Sequence, residues 1–451
     1  MKKNTLNRHR KDLFVILGLT QKVVMDFSYI LLSHIDTYKK EFNLNSNIFK
    51  IIFSYLAVFI VCGIAKRIKG LNNFLIKIIV FFVIIPLATV FSLQNQNSLF
   101  FIAVIVTFVF VEILLAKLPF FNTNSRQTSF CTFSKETTMA SRIISIVLFS
   151  VTIIAILWMF ALNGLPTTTA LSLDNVYLVR DNYISDKYLK YIVSIVTLIA
   201  VPYGIAEGYT KKSPLVVLFF ISAQILLFLW TGNKTWLFSI MIISCVLFLL
   251  IFKIKTNFFF LGVVLGSFLG SILCYNNAFS ENIIFSMLNR RMLLDPAALK
   301  FFYFDYFIIK GHPIVGVSGT LLAPLFSFDS ETLKYAYDIS VIYTGVSSNA
   351  GTGIYGGDIA NIGIFSFVVT PLLLFFWFYL SKRHEDRSGF NHSLIMFVYL
   401  TYTLNDQRLF TLFLDLPGIT LMIVGLLYKV AKIFVFDKKL ALKKTRQLMH
   451  E

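Results

Sequence analysis

The 451-residue sequence is 57% hydrophobic and 16% aromatic, whereas only 14% of its residues are charged. Its formal net charge of +18 at pH 7 comes mostly from Lys and Arg that flank apolar runs, as topology signals do, so we do not predict a nucleic-acid partner. The four cysteines show no CxxC spacing and predict neither a disulfide framework nor a zinc site. The composition excludes an ordinary soluble domain and indicates an integral membrane protein.

Apolar runs of membrane-spanning length follow one another along most of the chain. Lipid offers no hydrogen-bond partners, so each run must satisfy its backbone internally as a helix. The basic N-terminal segment lacks a small-residue cleavage site, which predicts an uncleaved first span; within it, Lys22 and Asp26 lie one helical turn apart and can neutralise each other. The predicted spans are 12–33, 48–64, 73–93, 98–116, 143–162, 191–207, 214–230, 235–252, 256–274, 358–380, 391–410 and 415–436.

The distribution of basic residues predicts the orientation of this single polytopic domain, residues 1–451. One set of alternate loops and termini holds 27 of the 41 Lys and Arg residues, and the other holds 13. The positive-inside rule therefore places both termini in the cytoplasm and residues 163–190 and 275–357 outside. Glu112 and Glu207 fall near the inner ends of their spans, where we expect capping or snorkelling.

The long extracytoplasmic loop, 275–357, holds most of the polar groups of chemical interest. Residues 281–310 predict two short interfacial helices broken at Asp295–Pro296, with Asp295 as an N-cap and an aromatic band facing the bilayer surface. Arg290 and Arg291 lie on the first of these helices. A guanidinium suits phosphate oxygens, although a snorkelling anchor is the alternative.

Two further features of this loop suggest chemistry. His312, in the turn KGHP, has a side chain suited to a general base, although a lone loop histidine is more often simply exposed. The Gly-rich stretch 345–363 leads into the tenth span, where Asp358 and Asn361 are expected to cap the helix and Asp358 is a second candidate base. Its glycine spacing is not that of a nucleotide-binding loop.

Three other basic residues are predicted at the outer face: Arg180, Lys234 and Arg408. Arg180 shares its loop with three aspartates, so local ion pairing is the alternative to ligand binding. Lys234 lies in a tight turn between two spans. Glu281 and Asp305 complete the candidates for a base near an attacking hydroxyl.

Four segments resemble the Wzy-type polymerases that join oligosaccharide repeat units in O-antigen and capsule synthesis. The resemblance is carried by DFSYILLSHI with the following FNLNSNIFKIIFSYL, by TGNKTWLFSIMI, by NRRMLLDPAALKFFYFDYF and by SSNAGTGIYGGDIANIGIFSF. The plan of about twelve spans with one long outer loop is similar as well.

The resemblance implies a GT-C-like helical bundle in the bacterial cytoplasmic membrane that acts as a metal-independent glycosyltransferase without a cofactor. Its substrates would be undecaprenyl-diphosphate-linked oligosaccharides, and a chain-length regulator is a candidate partner. Arg290 and Arg291 would then hold the diphosphates, and the segment around Asn349 would form part of the donor or acceptor site.

Two alternatives stay open. An O-antigen ligase shares the bundle and the donor, but ligases typically carry a histidine where this sequence has Ser348 and Asn349. A flippase or another transporter of lipid-linked sugars fits twelve spans equally well, although transporters usually have short loops and ionisable groups deep within their spans. Because the long outer loop holds most of the polar groups of chemical interest, we favour the enzyme.

Overall fold

The computed structural model describes residues 2–122, 135–166, 186–276, 284–316, 335–345 and 351–414, together with residues 179, 182–184 and 282. Over these ranges the chain is helical or irregular and forms no β-strand. The helices are α1 (Lys2–His34), α2 (Ile48–Ala65), α3 (Gly70–Leu93), α4 (Ser98–Lys117), α5 (Pro119–Asn122), α6 (Lys135–Asn163), α7 (Tyr188–Thr210), α8 (Pro214–Thr231), α9 (Lys234–Ile251), α10 (Asn257–Asn276), α11 (residues 285–309), α12 (Tyr335–Thr344), α13 (Gly356–Ile362), α14 (Ser366–Ser388), α15 (Phe390–Thr403) and α16 (Leu409–Leu414).

Nine helical stretches in the described part of the chain are long and apolar enough to cross a membrane, and they coincide with predicted spans one to seven, nine and ten. The eighth prediction corresponds to a shorter apolar helix, Thr235–Ile251. The eleventh, at 391–410, is divided between α15 and α16 by a turn, and the twelfth, at 415–436, lies outside the described residues. The chain is an all-α, multi-pass membrane protein, and the number of twelve spans stays a prediction.

Exposure separates helices that face lipid from helices that face protein. The apolar stretch of α3 is buried along its length, whereas α2 leaves Phe49, Ile52 and Phe59 exposed on its surface. In a membrane protein, such exposed apolar side chains contact the acyl chains of the bilayer. The predicted ion pair within the first span is confirmed: Lys22 pairs with Asp26, whose second oxygen accepts a bond of 2.8 Å from the Tyr55 hydroxyl.

Three helices widen into π-helical turns close to a proline. These turns, Val80–Ile84, Val196–Ala200 and Phe285–Leu294, end just before Pro86, Pro202 and Pro296, respectively. Proline has no N–H to donate, and its ring collides with the carbonyl four residues earlier, so the helix accommodates it by a local wider turn. In a membrane the released carbonyl needs another donor, which side chains of neighbouring segments can supply.

The chain divides into two compact units. The first comprises Met1–Asn124, Cys245–Arg383 and Leu400–Leu414, and the second comprises Ser125–Ser244, His384–Tyr399 and Asp415–Glu451. The prediction of one polytopic membrane domain over residues 1–451 stays a prediction.

The first unit has two distinct ends. At one end, the connection from α1 to α2 runs beside the end of α3, because Asn45 N–H donates to the Leu93 carbonyl at 2.9 Å. At the other end, the Lys77 ammonium donates to the Asn257 side chain at 3.2 Å. We call the first of these ends, where residues 35–47 run beside Leu93, the polar end. Helices α11, α12 and α13 also lie there.

Helix α11 corrects two sequence-based expectations. It runs without a break through Phe285–Leu294, Asp295–Phe304 and Asp305–Ile309, and Asp295 has helical dihedral angles (φ −56°, ψ −51°) and is not an N-cap. The aromatic band does not lie on the bilayer surface, because its side chains are buried in protein. The buried members are Phe301, Phe302, Tyr303, Phe304, Tyr306 and Phe307.

A break at Asp295–Pro296 was predicted because proline is favoured at the first position of a helix. Here the helix continues through Pro296. The carbonyl of Met292, four residues before Pro296, accepts a hydrogen bond of 2.8 Å from the Asn405 side chain. This bond replaces the one that proline cannot make, so the helix continues past Pro296.

Candidate active site

Helix α11 lies across the polar end of the first unit. Near its start, the Arg290 guanidinium lies 4.4 Å from the ring centroid of Tyr38, which follows α1. Further along, Phe301 and Phe304 pack on Phe100 at the start of α4, with ring centroids 5.0 and 5.1 Å apart. The helix therefore reaches from the first span to the fourth, and it buries the polar side chains of Asn289, Arg290 and Lys300.

Asn289 fixes the start of α11 between two spans. Its side-chain amide contacts the Ser28 hydroxyl of α1 at 3.0 Å, and the Ser271 hydroxyl and Ser267 carbonyl of α10 at 2.9 and 2.8 Å. Gly270 permits this approach, since a Cβ there would come within 3.2 Å of the backbone of Phe285. Three short contacts to two helices leave little freedom in the position of the next residue, Arg290.

Arg290 is a buried guanidinium, with 8% of its surface exposed. One terminal nitrogen lies 3.2 Å from an Asp295 oxygen, and the other donates to the Ser286 hydroxyl at 3.3 Å. The guanidinium lies over the aromatic ring of Tyr38. Planar guanidinium groups suit this combination of stacking and forked hydrogen bonding. Arg290 is therefore a well-positioned positive charge at the polar end.

A second carboxylate, Glu41, lies within electrostatic range of Arg290 and Asp295. Burial raises the pKa of the Glu41 carboxyl to about 8, and the charge of Asp295 acts in the same direction, while Arg290 opposes both. Two carboxyl groups beside one buried arginine form a cluster of the kind found in active sites. Glu41 stands in an ordinary polar stretch, TYKKEF, and no motif or spacing in the sequence singles it out.

Arg291 differs from its neighbour in its surroundings. Its side chain is half-buried, and it makes no hydrogen bond or ion pair with the residues that the structure describes. Successive residues in a helix point in different directions, so the two arginines do not share one set of partners. Of the pair, only Arg290 has partners among the residues that the structure describes.

Lys300 is a second buried cation on α11 that the sequence analysis did not single out. Its ammonium donates to the Pro296 carbonyl at 3.1 Å and to the carbonyl and side-chain oxygens of Asn405 at 3.2 and 3.1 Å. Burial lowers the pKa of this ammonium to about 7, while Asp406 and Asp358 act in the opposite direction. The three acceptors use all three of its protons, which is a structural arrangement.

Asp358, predicted as a candidate base, is completely buried. One oxygen accepts from the Phe410 N–H at 3.0 Å, and the other from the Thr370 hydroxyl at 2.8 Å and the Tyr355 N–H at 3.3 Å. The capping of α13 is confirmed for Asp358, which forms a capping box with Tyr355. Its catalytic role stays a prediction, since every described contact is structural.

Arg408 and Asn361 contact each other at the same end. The Arg408 guanidinium donates to the Asn361 side-chain oxygen at 3.1 Å and lies 5.1 Å from the Tyr335 ring centroid. Asn361 lies within α13 and does not cap it. The nearby glycines serve close packing: a Cβ at Gly353 would lie 2.1 Å from the Leu404 carbonyl oxygen, and one at Gly357 would lie 2.3 Å from Arg408.

His312 is exposed, and its ring stacks on Tyr306 with centroids 3.9 Å apart. Asp305, another candidate base, accepts from the Tyr343 hydroxyl and pairs with Lys310 at 3.3 Å. Arg180, Asn349 and Glu281 lie outside the described residues. Lys234 begins α9 in the range of the second unit, and its side chain is not among those described.

Both acidic residues that were expected to cap or snorkel near the inner ends of their spans are buried. Glu112 in α4 has no exposed surface, and neither of its oxygens has a hydrogen-bond partner among the described residues. Glu207, in the second unit, pairs with Lys211 at 2.6 Å and lies 3.5 Å from His392, whose ring stacks on His384. The expectation failed because hydropathy locates a span and does not show which of its faces meets protein.

Comparison with models of known protein families, with curated proteins and with solved structures gave no match. Within the described ranges, no group of three or more His, Cys, Asp and Glu side chains could hold a metal ion.

Proposed function

We propose that this protein is a repeat-unit polymerase, a glycosyltransferase that joins undecaprenyl-diphosphate-linked oligosaccharides at the outer face of the bacterial cytoplasmic membrane. The single observation that carries the proposal is the pair Arg290–Arg291 on a helix enclosed at one end of a membrane-spanning unit, with Glu41 and Asp295 beside it. This pairing supplies both a site for a diphosphate and carboxyl groups for proton transfer. It requires no metal and no cofactor.

The leaving group explains why arginine is suitable. When the bond from the sugar to the carrier breaks, negative charge develops on the diphosphate, and a fixed guanidinium in a partly dehydrated site stabilises that charge. We assign the contact with the diphosphate to Arg291, whose donors lack described partners, and the positioning of the carboxylates to Arg290.

A membrane bundle also suits this substrate. The carrier lipid has a long apolar tail, and α2 presents an exposed apolar surface beside the polar end. A lipid-linked donor is already activated, so the reaction needs no nucleotide on the outer side. Product analysis can therefore separate this function from its alternatives.

A strain lacking this protein tests the proposal by the lipid-linked sugars that it accumulates. The polymerase predicts single repeat units on undecaprenyl diphosphate at the outer face and no long polymer. Polymer retained on the carrier would indicate a ligase, and repeat units retained at the cytoplasmic face would indicate a transporter. Either of the last two results would contradict the proposal.

Arg291→Ala is expected to reduce polymer formation roughly 10²–10³-fold, the loss that follows removal of one donor to a developing oxyanion. Arg290→Ala is expected to reduce it as well, because Asp295 then loses its buried partner. Polymer length on gels measures both. The matched control is Lys39→Ala, an exposed lysine that pairs with the exposed Asp36 at the same end. Normal chain lengths in both arginine variants would remove the pair from the mechanism.

One observation favours the transporter as a second candidate. Glu112 is an ionisable side chain buried within a span without a described partner, as expected of a coupling site in a transporter. If the protein is a transporter, Glu112→Gln should cause cytoplasmic accumulation of repeat units. In a polymerase this substitution leaves the sidedness of the accumulated units unchanged.

A further inference from the structure

The backbone of Glu41 is held from both sides at the polar end. Its N–H donates to the Tyr38 carbonyl at 3.0 Å, and its own carbonyl accepts from the Gln94 side chain at 2.7 Å. The Arg290 guanidinium lies over the Tyr38 ring, and Gln94 directly follows α3. The position of Glu41 is therefore coupled to the position of Arg290.

The side chain of Glu41, in contrast, is left without a partner. It is half-buried, yet its carboxylate makes no hydrogen bond or ion pair with any residue in the ranges that the structure describes. Among the described residues, the charged and titratable groups that act on it are Arg290 and Asp295 from α11 and Tyr29 from α1. A partly desolvated carboxylate that is fixed but unbonded is suited to accept a proton from a ligand.

Three other acids at this end have described contacts through at least one carboxylate oxygen. Asp295 pairs with Arg290, Asp305 with Tyr343 and Lys310, and Asp358 accepts from two N–H groups and a hydroxyl. A carboxylate oxygen that already accepts a hydrogen bond or pairs with a cation is less free to accept a proton from a ligand hydroxyl. Glu41 differs from these three acids because its carboxylate has no partner among the described residues.

We infer that Glu41 is the general base of the glycosyl transfer, an inference that rests on the proposed function. The hydroxyl of the acceptor sugar gives its proton to the Glu41 carboxylate, and its oxygen forms a bond to the anomeric carbon of the donor. The bond from that carbon to the diphosphate oxygen breaks, and its electron pair leaves with undecaprenyl diphosphate. Glu41 then releases the proton to water. Arg290 acts as a positioning residue for Glu41 and does not exchange protons.

The test uses the full-length protein in nanodiscs, with lipid-linked repeat units extracted from the deletion strain. Single-turnover rates are measured between pH 5 and pH 9 for wild type, Glu41→Gln, Glu41→Asp and Asp36→Asn. The last replaces an exposed carboxylate in the same connection and serves as the matched control. Binding of the same lipid-linked units is measured for each variant in parallel.

The wild-type rate is expected to rise about tenfold per pH unit and to level off near pH 8, because the base must be ionised and its pKa is raised to about 8. Glu41→Gln is expected to lose roughly 10²–10⁴-fold in rate and to lose the pH dependence, while binding is retained. Glu41→Asp should keep the pH dependence at a lower rate, and Asp36→Asn should match wild type.

Three outcomes would overturn the inference, and they are distinguishable. If wild type polymerises the units and Glu41→Gln keeps either the rate or the pH dependence, Glu41 is not the base and the polymerase function stands. If Glu41→Asp loses the pH dependence together with the rate, the role of Glu41 is structural. If wild type binds the units but forms no polymer, the proposed function fails and the inference fails with it.

Discussion

Two buried cations on the same helix, Arg290 and Lys300, have very different surroundings. Lys300 uses its three protons on Pro296 and Asn405 and thereby ties α11 to the turn that precedes α16. Arg290 is surrounded by acids, of which Asp295 is paired with it and Glu41 is not bonded. Burial of a charge is therefore not what distinguishes an active site.

The two cations differ in how completely the groups around them are hydrogen-bonded, and this property separates a structural network from a candidate ligand site. A buried network in which every group has its partner stabilises the fold and gives the chain a unique arrangement. A network that leaves one carboxylate without a partner has a group that a ligand can use. By this criterion, we expect Lys300 and Asp358 to stabilise the fold and Glu41 and Arg291 to serve the proposed active site.

Lys300→Met should have the largest effect on stability. It leaves the Asn405 oxygens and the Pro296 carbonyl without their buried donor, which we expect to lower the free energy of unfolding by about 3 kcal/mol. Denaturation in detergent micelles measures the loss. Lys310→Met, an exposed lysine immediately after the same helix, is the control, with an expected change within about 0.5 kcal/mol. Equal losses of stability in the two variants would show that the hydrogen bonds of the buried Lys300 stabilise the fold no more than those of the exposed Lys310.

Asp358→Asn should have an intermediate effect, a loss of about 2 kcal/mol. The amide presents N–H donors where the carboxylate accepted from Phe410, Thr370 and Tyr355. The same denaturation assay measures the change, with the exposed Asp338→Asn as control. A variant that keeps wild-type stability but forms no polymer would restore Asp358 as a candidate base.

Glu41→Gln should have the smallest effect on stability and the opposite sign. The pKa of Glu41 is raised from 4.5 to about 8 on folding, so the folded protein binds more protons than the unfolded chain in that interval, and stability falls as pH rises through it. Removing the carboxylate should therefore raise the free energy of unfolding by about 1 kcal/mol above pH 8 and leave it unchanged near pH 4. Destabilisation above pH 8 would show that Glu41 stabilises the fold.

Local spacing determined what the sequence could predict. Lys22 and Asp26 lie four residues apart on one helix, so their pairing follows from helical geometry alone. The spans follow from hydropathy, and the adjacent arginines were visible as the only basic pair in the long loop. These features depend on a few neighbouring residues.

The remainder of the site depends on contacts between distant segments. Lys300 and Asn405 are separated by 105 positions, and neither lies in a motif that indicates the other. The continuity of α11 through Pro296 depends on the Asn405 side chain in the same way. Glu41 is significant only because folding brings it near Arg290 and Asp295, which no periodicity or spacing in the sequence indicates.

The most direct test of the central claim is the side of the membrane that the polar end faces. Single cysteines would replace His312, which is exposed at that end, and Lys253, which is exposed near the opposite end, in a chain without its four native cysteines. A membrane-impermeant maleimide added to intact spheroplasts should label position 312 and spare position 253. Labelling of position 253 alone would place the arginines and Glu41 in the cytoplasm and contradict the account.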